Sequence, residues 1–484
     1  MSQAIVSTKG HLIDAQFRYD KGTIIEHGGE VYDCTLNQTE IGSNKNKFYI
    51  MQVIKHSEGI CCYIRYGRIG EAGKTIYKPY DSEIGAVAFF ERQFHSKTGN
   101  YWHARDNFVK KNRKYFMSEI ETIDVSSGTD PDSGSESESS KLDPDVISFI
   151  KLMTNTTYMT NTMVELEIDT KKMPLGKISQ GQIDRAYEIL NDITQHLDDI
   201  DEITIQSSEF YTLIPHACGR QQPPIISSHK LIAKNLNLLN ELSQMIFGAK
   251  AIKKLKKDSI GDFYTGLHTD IKALDKTSEM YKILVRYVKN SRAPTHNFKY
   301  SVINIFEIER EFERDNFEAF SKKIKNKTLL FHGTRISNLV GIFQNGLLCD
   351  PSKLGINVCI TGKMFGLGLY YANSASKSIQ YCGYNTSDNI ACLFVAEVAL
   401  GRPLKKKKDD SSLTAHTMPK SYHSTWGIGR SSFDAYDVVD NVRIPKGKLK
   451  VMAESVDSIL LYDEFIIYHE EQAQLRYAIL LNVK

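Results

Sequence analysis

No run in the 484 residues approaches the roughly 20 consecutive apolar residues that a membrane-spanning helix needs, and the first thirty residues lack the basic start and apolar stretch of a secretory leader. These absences predict a soluble chain that stays inside the cell and uses no membrane. Cysteine is sparse. There are eight, Cys61 and Cys62 are adjacent, and no C-x-x-C pair occurs, which fits neither a disulfide framework nor a zinc site. The expectation is a reducing compartment and no metal. Nor does one sign of charge dominate, with 61 Lys and Arg against 58 Asp and Glu. What is present is ordinary globular material, 41% hydrophobic and 25% charged. The length is too great for one core and predicts roughly three domains.

The near-neutral total hides an uneven distribution. Asn44 to Phe116 carries fourteen Lys and Arg against six Asp and Glu, a surplus suited to a nucleic-acid surface. Glu121 to Asp145 holds eight acidic residues and one Lys among Ser, Gly and Pro, and cannot bury enough apolar surface to offset its ordering entropy. It reads as an acidic linker behind a basic front module. In that module, Lys47–Ile54 and Ile60–Tyr66 are β-rich runs joined at His56-Ser57-Glu58-Gly59, a hairpin, and Ile84, Val87, Phe90 and Phe94 recur at helical spacing.

Beyond the linker the period becomes helical. Ile183, Tyr187, Leu190, Ile193, Leu197 and Ile200 make one stripe, opened by a Ser179-x-x-Gln182 capping box, and Ile232, Leu236, Leu239, Leu242 and Ile246 make another. A helical bundle is expected from about Asp145 to Lys289. From Lys327 onward short apolar strands take over, at Thr328–Phe331, Ile390–Leu400, Ser458–Tyr468 and Gln474–Leu481. A helix at Asn338–Phe343 is closed by Gly346. Strands and helices do not alternate regularly enough for a doubly wound sheet, so this last region is α+β.

Three sets of strings carry a family resemblance. The first is Thr35-Leu36-Asn37-Gln38-Thr39, Asn46-Lys47-Phe48-Tyr49, Arg65-Tyr66-Gly67-Arg68 and Lys97-Thr98-Gly99-Asn100-Tyr101-Trp102. The second is Met173-Pro174-Leu175-Gly176-Lys177 with Phe210-Tyr211-Thr212-Leu213-Ile214-Pro215-His216. The third is Leu329-Leu330-Phe331-His332-Gly333-Thr334-Arg335, Phe365-Gly366-Leu367-Gly368-Leu369-Tyr370-Tyr371-Ala372 and Leu461-Tyr462-Asp463-Glu464-Phe465. In this order they resemble the WGR module, the helical regulatory domain and the catalytic domain of the DNA-damage branch of the poly(ADP-ribose) polymerase family, in its form without zinc fingers. Tyr66 stands where the WGR module has its Trp, and Cys349 to Lys363 departs from the family's Pro-rich pattern.

The resemblance implies a multidomain chain: an N-terminal extension (1–30), an α+β WGR module that senses DNA breaks (31–120), the linker (121–144), an all-α regulatory bundle that inhibits (145–290) and an α+β ADP-ribosyltransferase domain on antiparallel sheets (300–484). It implies NAD as substrate and a catalytic triad of His332, Tyr370 and Glu464. NAD would be held by His332, Gly333, Thr334, Asn338, Tyr370, Tyr371, Lys377, Ser378 and Tyr381. Cleaving the nicotinamide bond builds positive charge on the anomeric carbon, so a carboxylate is needed there, and the resemblance gives that part to Glu464. DNA contacts would come from Asn46, Lys47, Tyr66, Arg68, Trp102, Lys110, Lys111 and Arg113, neutralising phosphates and stacking on an exposed nucleotide. The implied partners are broken duplex, protein acceptors such as chromatin proteins and the chain itself, and an accessory factor completing the active site. The implied compartment is the nucleus. The rival is a DNA-end-binding scaffold with weak or single-unit transfer.

Singly, these residues say little: a His closing a strand is usually a satisfied core or surface group, and paired tyrosines are usually core. Gly366-x-Gly368 lacks the third Gly and the βαβ setting of a dinucleotide fingerprint, which excludes a Rossmann oxidoreductase. The Lys405–Lys408 run reads first as a solvated loop, with contact to nucleic acid or a part in import as the alternatives.

Overall fold

The computed structural model describes residues 11, 13–19, 22–118, 142–166, 179–255, 260–349 and 364–484. Most of the acidic linker, the Met173–Lys177 string and residues 350–363 lie outside them. The chain forms two compact units, one of residues 1–129 with 163–246 and the other of 130–162 with 247–484. Helices α1 (Glu83–Thr98), α2 (Pro144–Met153), α3 (Thr156–Glu165), α4 (Gln180–Gln195), α5 (Ile200–Leu213), α6 (His229–Leu255) and α7 (Ile260–Gly266) follow one another along the chain.

In the first unit, β1 (Gly22–Ile24), β2 (Asp33–Glu40), β3 (Lys45–His56), β4 (Gly59–Arg68), β5 (Lys74–Tyr80) and β6 (Phe116–Ser118) build an antiparallel sheet in the order β5-β4-β3-β2-β6, with β1 paired to β3. The expected hairpin is present, with His56 paired to Gly59. On one face, Val87, Phe90 and Phe94 of α1 pack against Leu36, Met51 and Ile64. Ile84 is instead 70% exposed. At about 100° per residue it points roughly 90° away from the mean direction of the other three, so its spacing only approximates the stripe. The described part of the expected N-terminal extension is a layer of the module: Asp14 binds the buried guanidinium of Arg65 through both oxygens, with the nearest pair 2.5 Å apart, and also accepts from Tyr63.

The same unit holds α4 and α5. The capping box forms as expected, with Ser179 accepting from the Gln182 N–H and Gln182 reaching back. Ile183, Tyr187, Leu190 and Ile193 are buried, but Leu197 and Ile200 leave the stripe. Asp199 caps a new helix by accepting from Asp201 and Glu202, so the chain turns there. All five apolar residues expected on α6 are buried. The sheet module is bonded to α5 and the loop after it: Thr39 N donates to Thr212 Oγ1 and Ile41 N to Ser208 Oγ, both at 3.0 Å, and Asn46 Nδ2 donates to the His216 carbonyl at 2.9 Å.

The second unit adds β7 (Thr269–Ala273), α8 (Glu279–Asn290), β8 (Tyr300–Arg310), α9 (Glu313–Ser321), β9 (Lys327–Thr334), α10 (Leu339–Asn345), β10 (Leu369–Tyr371), α11 (Ala375–Ile379), β11 (Ile390–Ala399), β12 (Pro403–Lys406), β13 (Ser424–Gly427), β14 (Gly429–Ser432), β15 (Ala435–Val439), β16 (Val442–Lys446), β17 (Lys450–Val451), β18 (Leu460–Tyr462), β19 (Glu464–Ile467) and β20 (Ala473–Val483). A seven-stranded sheet runs β15-β16-β9-β11-β20-β8-β7, beside a four-stranded sheet β10-β19-β13-β12 and a three-stranded one β17-β14-β18. Most pairs are antiparallel; β9–β16, β12–β13 and β14–β18 are parallel.

Two elements inside the span expected as bundle belong to this sheet. Strand β7 alternates buried Thr269 and Ile271 with exposed Asp270 and Lys272 and pairs with β8, while Leu284, Tyr287 and Val288 of α8 enter the sheet core against Phe331 and Ile479. The bundle therefore stops at α7. Two of its helices touch the sheet domain through α2 and α3. Phe149 stacks on Phe306 at 4.5 Å, Tyr158 Oη donates to Asp388, and Asn161 donates to the Thr386 carbonyl. The Lys405–Lys408 run is partly strand, with Lys406 paired to Asp410 and Lys407 to Asp457.

Candidate active site

The strand expected at Ser458–Tyr468 is broken at Asp463, leaving β18 in one sheet and β19 in another. The break is held by the Asp463 carboxylate, which is wholly buried. It accepts from the Gly429 N–H at 2.8 Å, from Asn373 Nδ2 at 2.9 Å and from the Ser432 hydroxyl. Burial raises its pKa against the pull of those donors. The next residue, Glu464, opens β19.

Glu464 is met by Lys377 of α11, Nζ to Oε1 2.9 Å, with the side chains 13% and 14% exposed. Lys377 Nζ also donates to the Tyr462 carbonyl at 2.9 Å. Burial lowers the Lys377 pKa, and the Glu464 and Asp463 charges oppose that. Two tyrosines flank the carboxylate. Tyr370, on β10, donates its hydroxyl to the Gly366 carbonyl at 2.8 Å and receives the Phe365 N–H at 3.0 Å. Tyr381 is 59% exposed. Both phenol pKa values are raised, first by burial and then by neighbouring charges that include Glu464.

His332, near the end of β9, places Nδ1 3.0 Å from the Tyr370 carbonyl. A carbonyl can only accept, so Nδ1 carries a proton, and when the ring is neutral Nε2 is the acceptor nitrogen. At Gly333 a Cβ would overlap the Ser378 carbonyl. Closeness to α11 thus already forbids a side chain there. Ser378 in turn donates to the Phe331 carbonyl at 3.3 Å. Thr334 and Asn338 are buried and linked, Asn338 Nδ2 to Thr334 Oγ1 3.4 Å. Gly366, at φ 73°, would drive a Cβ into the Leu413 carbonyl, so loop packing demands that glycine.

The structure thus brings His332 to Tyr370 and Gly333 to Ser378, and sets Lys377, Tyr370 and Tyr381 within reach of the Glu464 charge. Tyr371 diverges, as alternation along β10 requires. Its ring lies 5.6 Å from His332, and its buried hydroxyl, without a hydrogen-bond partner among the described residues, lines a cavity of about 300 Å³ with Glu313 and Glu470. Asp463, Asn373 and Ser432 were not singled out from the sequence. Only the position of Asp463 beside Glu464 pointed to them.

The residues expected on DNA are not gathered in the same way. Asn46 is buried and spent on His216 and Thr39. Trp102 is core, packed edge-on by Phe90 and Phe94. Arg68 donates to the carbonyls of Asn44, Gly219 and Gln221, at 2.9 Å and 2.6 Å for the first and last, so its guanidinium joins the sheet to the loop after α5. Lys47 pairs in register with Arg68, and Tyr66 is half-buried beside Tyr49. Lys110 turns back onto the carbonyls of Lys111 and Lys114, and burial lowers its pKa. Lys111 and Arg113 are exposed.

Comparison with known proteins finds three family matches along the chain. Residues 278–484 match the poly(ADP-ribose) polymerase catalytic domain, 140–266 the poly(ADP-ribose) polymerase regulatory domain, and 32–109 the WGR domain. Poly [ADP-ribose] polymerase 1 of Gallus gallus is 35% identical over 485 residues, covering 96% of this chain and 46% of that protein. Poly [ADP-ribose] polymerase 2 of Arabidopsis thaliana is 34% identical over 477 residues, covering 94% and 74%. For poly [ADP-ribose] polymerase 2-A of Oryza sativa subsp. japonica the figures are 32% over 469 residues, 93% and 70%. The chain spans about half the length of the chicken protein and about three quarters of the Arabidopsis one.

Proposed function

Since the chain belongs to the poly(ADP-ribose) polymerase family, we propose that it is a DNA-break-activated ADP-ribosyltransferase that takes NAD as substrate, releases nicotinamide and attaches ADP-ribose to protein acceptors, chromatin proteins and itself among them. The observation that supports this best is the Glu464 carboxylate, fixed by Lys377 and flanked by Tyr370 and Tyr381.

As the bond between nicotinamide and the ribose anomeric carbon breaks, its electron pair leaves with the nicotinamide nitrogen, and positive charge builds on that carbon. Glu464 stabilises the charge, and hydrogen-bonds the 2′-hydroxyl of that ribose. The acceptor oxygen then bonds the carbon and passes its proton through Glu464 to solvent. His332 accepts from a ribose hydroxyl on the adenosine side. Tyr370 and Tyr381 wall the nicotinamide slot, with the Gly333 backbone and the Ser378 hydroxyl on its carboxamide. Thr334 and Asn338 line the remainder. The WGR module senses the break through phosphates, the helical region restrains the site, and the work belongs in the nucleus.

The test is nicotinamide release and automodification by the full chain with labelled NAD, with and without a nicked duplex. Both should depend on the duplex. Glu464→Gln should bind the duplex normally and lose about 10² to 10³ in rate. Undiminished transfer by that variant would remove Glu464 from the chemistry.

A further inference from the structure

Three aromatic rings stand in a row at the end of α1. His95 stacks on Tyr101, centroids 4.4 Å and planes 17° apart, and His103 lies 5.6 Å from Tyr101 at 22°. All three are exposed, Tyr101 by 60%. Their chain neighbours Phe94 and Trp102 take the core positions, with rings 5.0 Å apart, so the core is complete without the row. Two ammonium groups sit at the same helix end. Lys111 Nζ donates to the Gly99 carbonyl at 2.5 Å and Lys114 Nζ to the Ser96 carbonyl at 2.9 Å. Each ammonium has three donors and keeps capacity for a phosphate.

We propose that His95, Tyr101 and His103 are a stacking platform for an unpaired nucleobase at a DNA gap, with Lys111 and Lys114 taking the adjoining phosphates. The inference rests on the reading of this module as a break sensor. A base in intact or nicked duplex is already stacked and paired, whereas a base opposite a gap offers an open face and costs little to splay. Aromatic side chains accept any base face, so the preference is for the lesion and not for sequence. Tyr66, half-buried beside Tyr49, is less available for this part.

The experiment uses the full chain and two duplexes, one nicked and one with a single-nucleotide gap opposite 2-aminopurine. The wild-type chain should quench the probe and bind the gapped duplex more tightly. Tyr101→Leu, with a cooperative melt like the wild type, should lose about 5- to 150-fold in affinity for the gapped duplex, the range of one base–aromatic stack, along with the quenching. It should keep its affinity for the nick, and Tyr101→Phe should retain both. Unchanged quenching and affinity in Tyr101→Leu would overturn the proposal, as would an equal loss on both duplexes, which assigns Tyr101 a structural part. If the wild type binds neither duplex, the break-sensor reading itself fails.

Discussion

Lys377 and Glu464 face each other across 2.9 Å, the cation on a short helix and the carboxylate on the first residue of a strand. Because burial lowers the Lys377 pKa, its charge is lost at a lower pH than that of an ordinary lysine. Glu464 and Asp463 hold the proton on, and burial, with the Lys377 charge adding to it, lowers the pKa of His296. As pH rises through that value Glu464 loses its partner, so turnover at saturating NAD should fall on an alkaline limb below the usual lysine range. Lys377→Arg, permanently charged, should move the limb away. For stability the sense is reversed: between the lowered and the ordinary pKa the unfolded chain carries the extra proton, so this group favours folding increasingly as pH rises. A rate profile identical in the two proteins would exclude Lys377.

Asp463 offers a second handle. Asp463→Ala leaves the Gly429 N–H, Asn373 amide and Ser432 hydroxyl without their acceptor, at about 1–3 kcal/mol per buried group left unpaired. The melt should drop, and kcat should fall with KM little changed, since Glu464 follows Asp463 directly. Wild-type melting would refute the account of the strand break.

The end of the bundle sets where the chain can be cut. Deleting 142–266 and joining the flanks flexibly should give a transferase active without DNA, a release of about 5- to 150-fold for a coupling of roughly 1–3 kcal/mol. Carrying the deletion on to 287 removes β7 and the Leu284 and Tyr287 core of α8, and should abolish folding. A folded but inactive 142–266 deletion would make the bundle a support and not a brake.

Arg68 separates binding from stimulation. Arg68→Ala strips the Gly219 and Gln221 carbonyls of their donor. Titration with nicked duplex should show affinity nearly kept, while the stimulated rate drops. Loss of binding with stimulation per bound duplex intact would instead put Arg68 on the DNA.

Much of this was legible in the sequence where a local pattern has one physical meaning. The hairpin at His56–Gly59, the Ser179 capping box and the α6 stripe all formed as expected. The misses share a cause, which is that tertiary bonds are invisible to periodicity. Asp463 ends a strand by what it accepts from β14 and Asn373, and Asp14 draws the N-terminal segment onto Arg65. Asn46 and Trp102 sit in strings that mark the module, and each makes internal contacts that periodicity does not show.

The groups that Arg68 holds are main-chain oxygens, and a main-chain oxygen is there whatever side chain is attached. Position 221 is thus at liberty to change its letter so long as the loop keeps its path, while position 68 needs the forked reach of arginine. Among descendants of this gene, the joint would show as one fixed residue opposite a segment of drifting spelling. A reader ranking positions by constancy would pass over half of the joint.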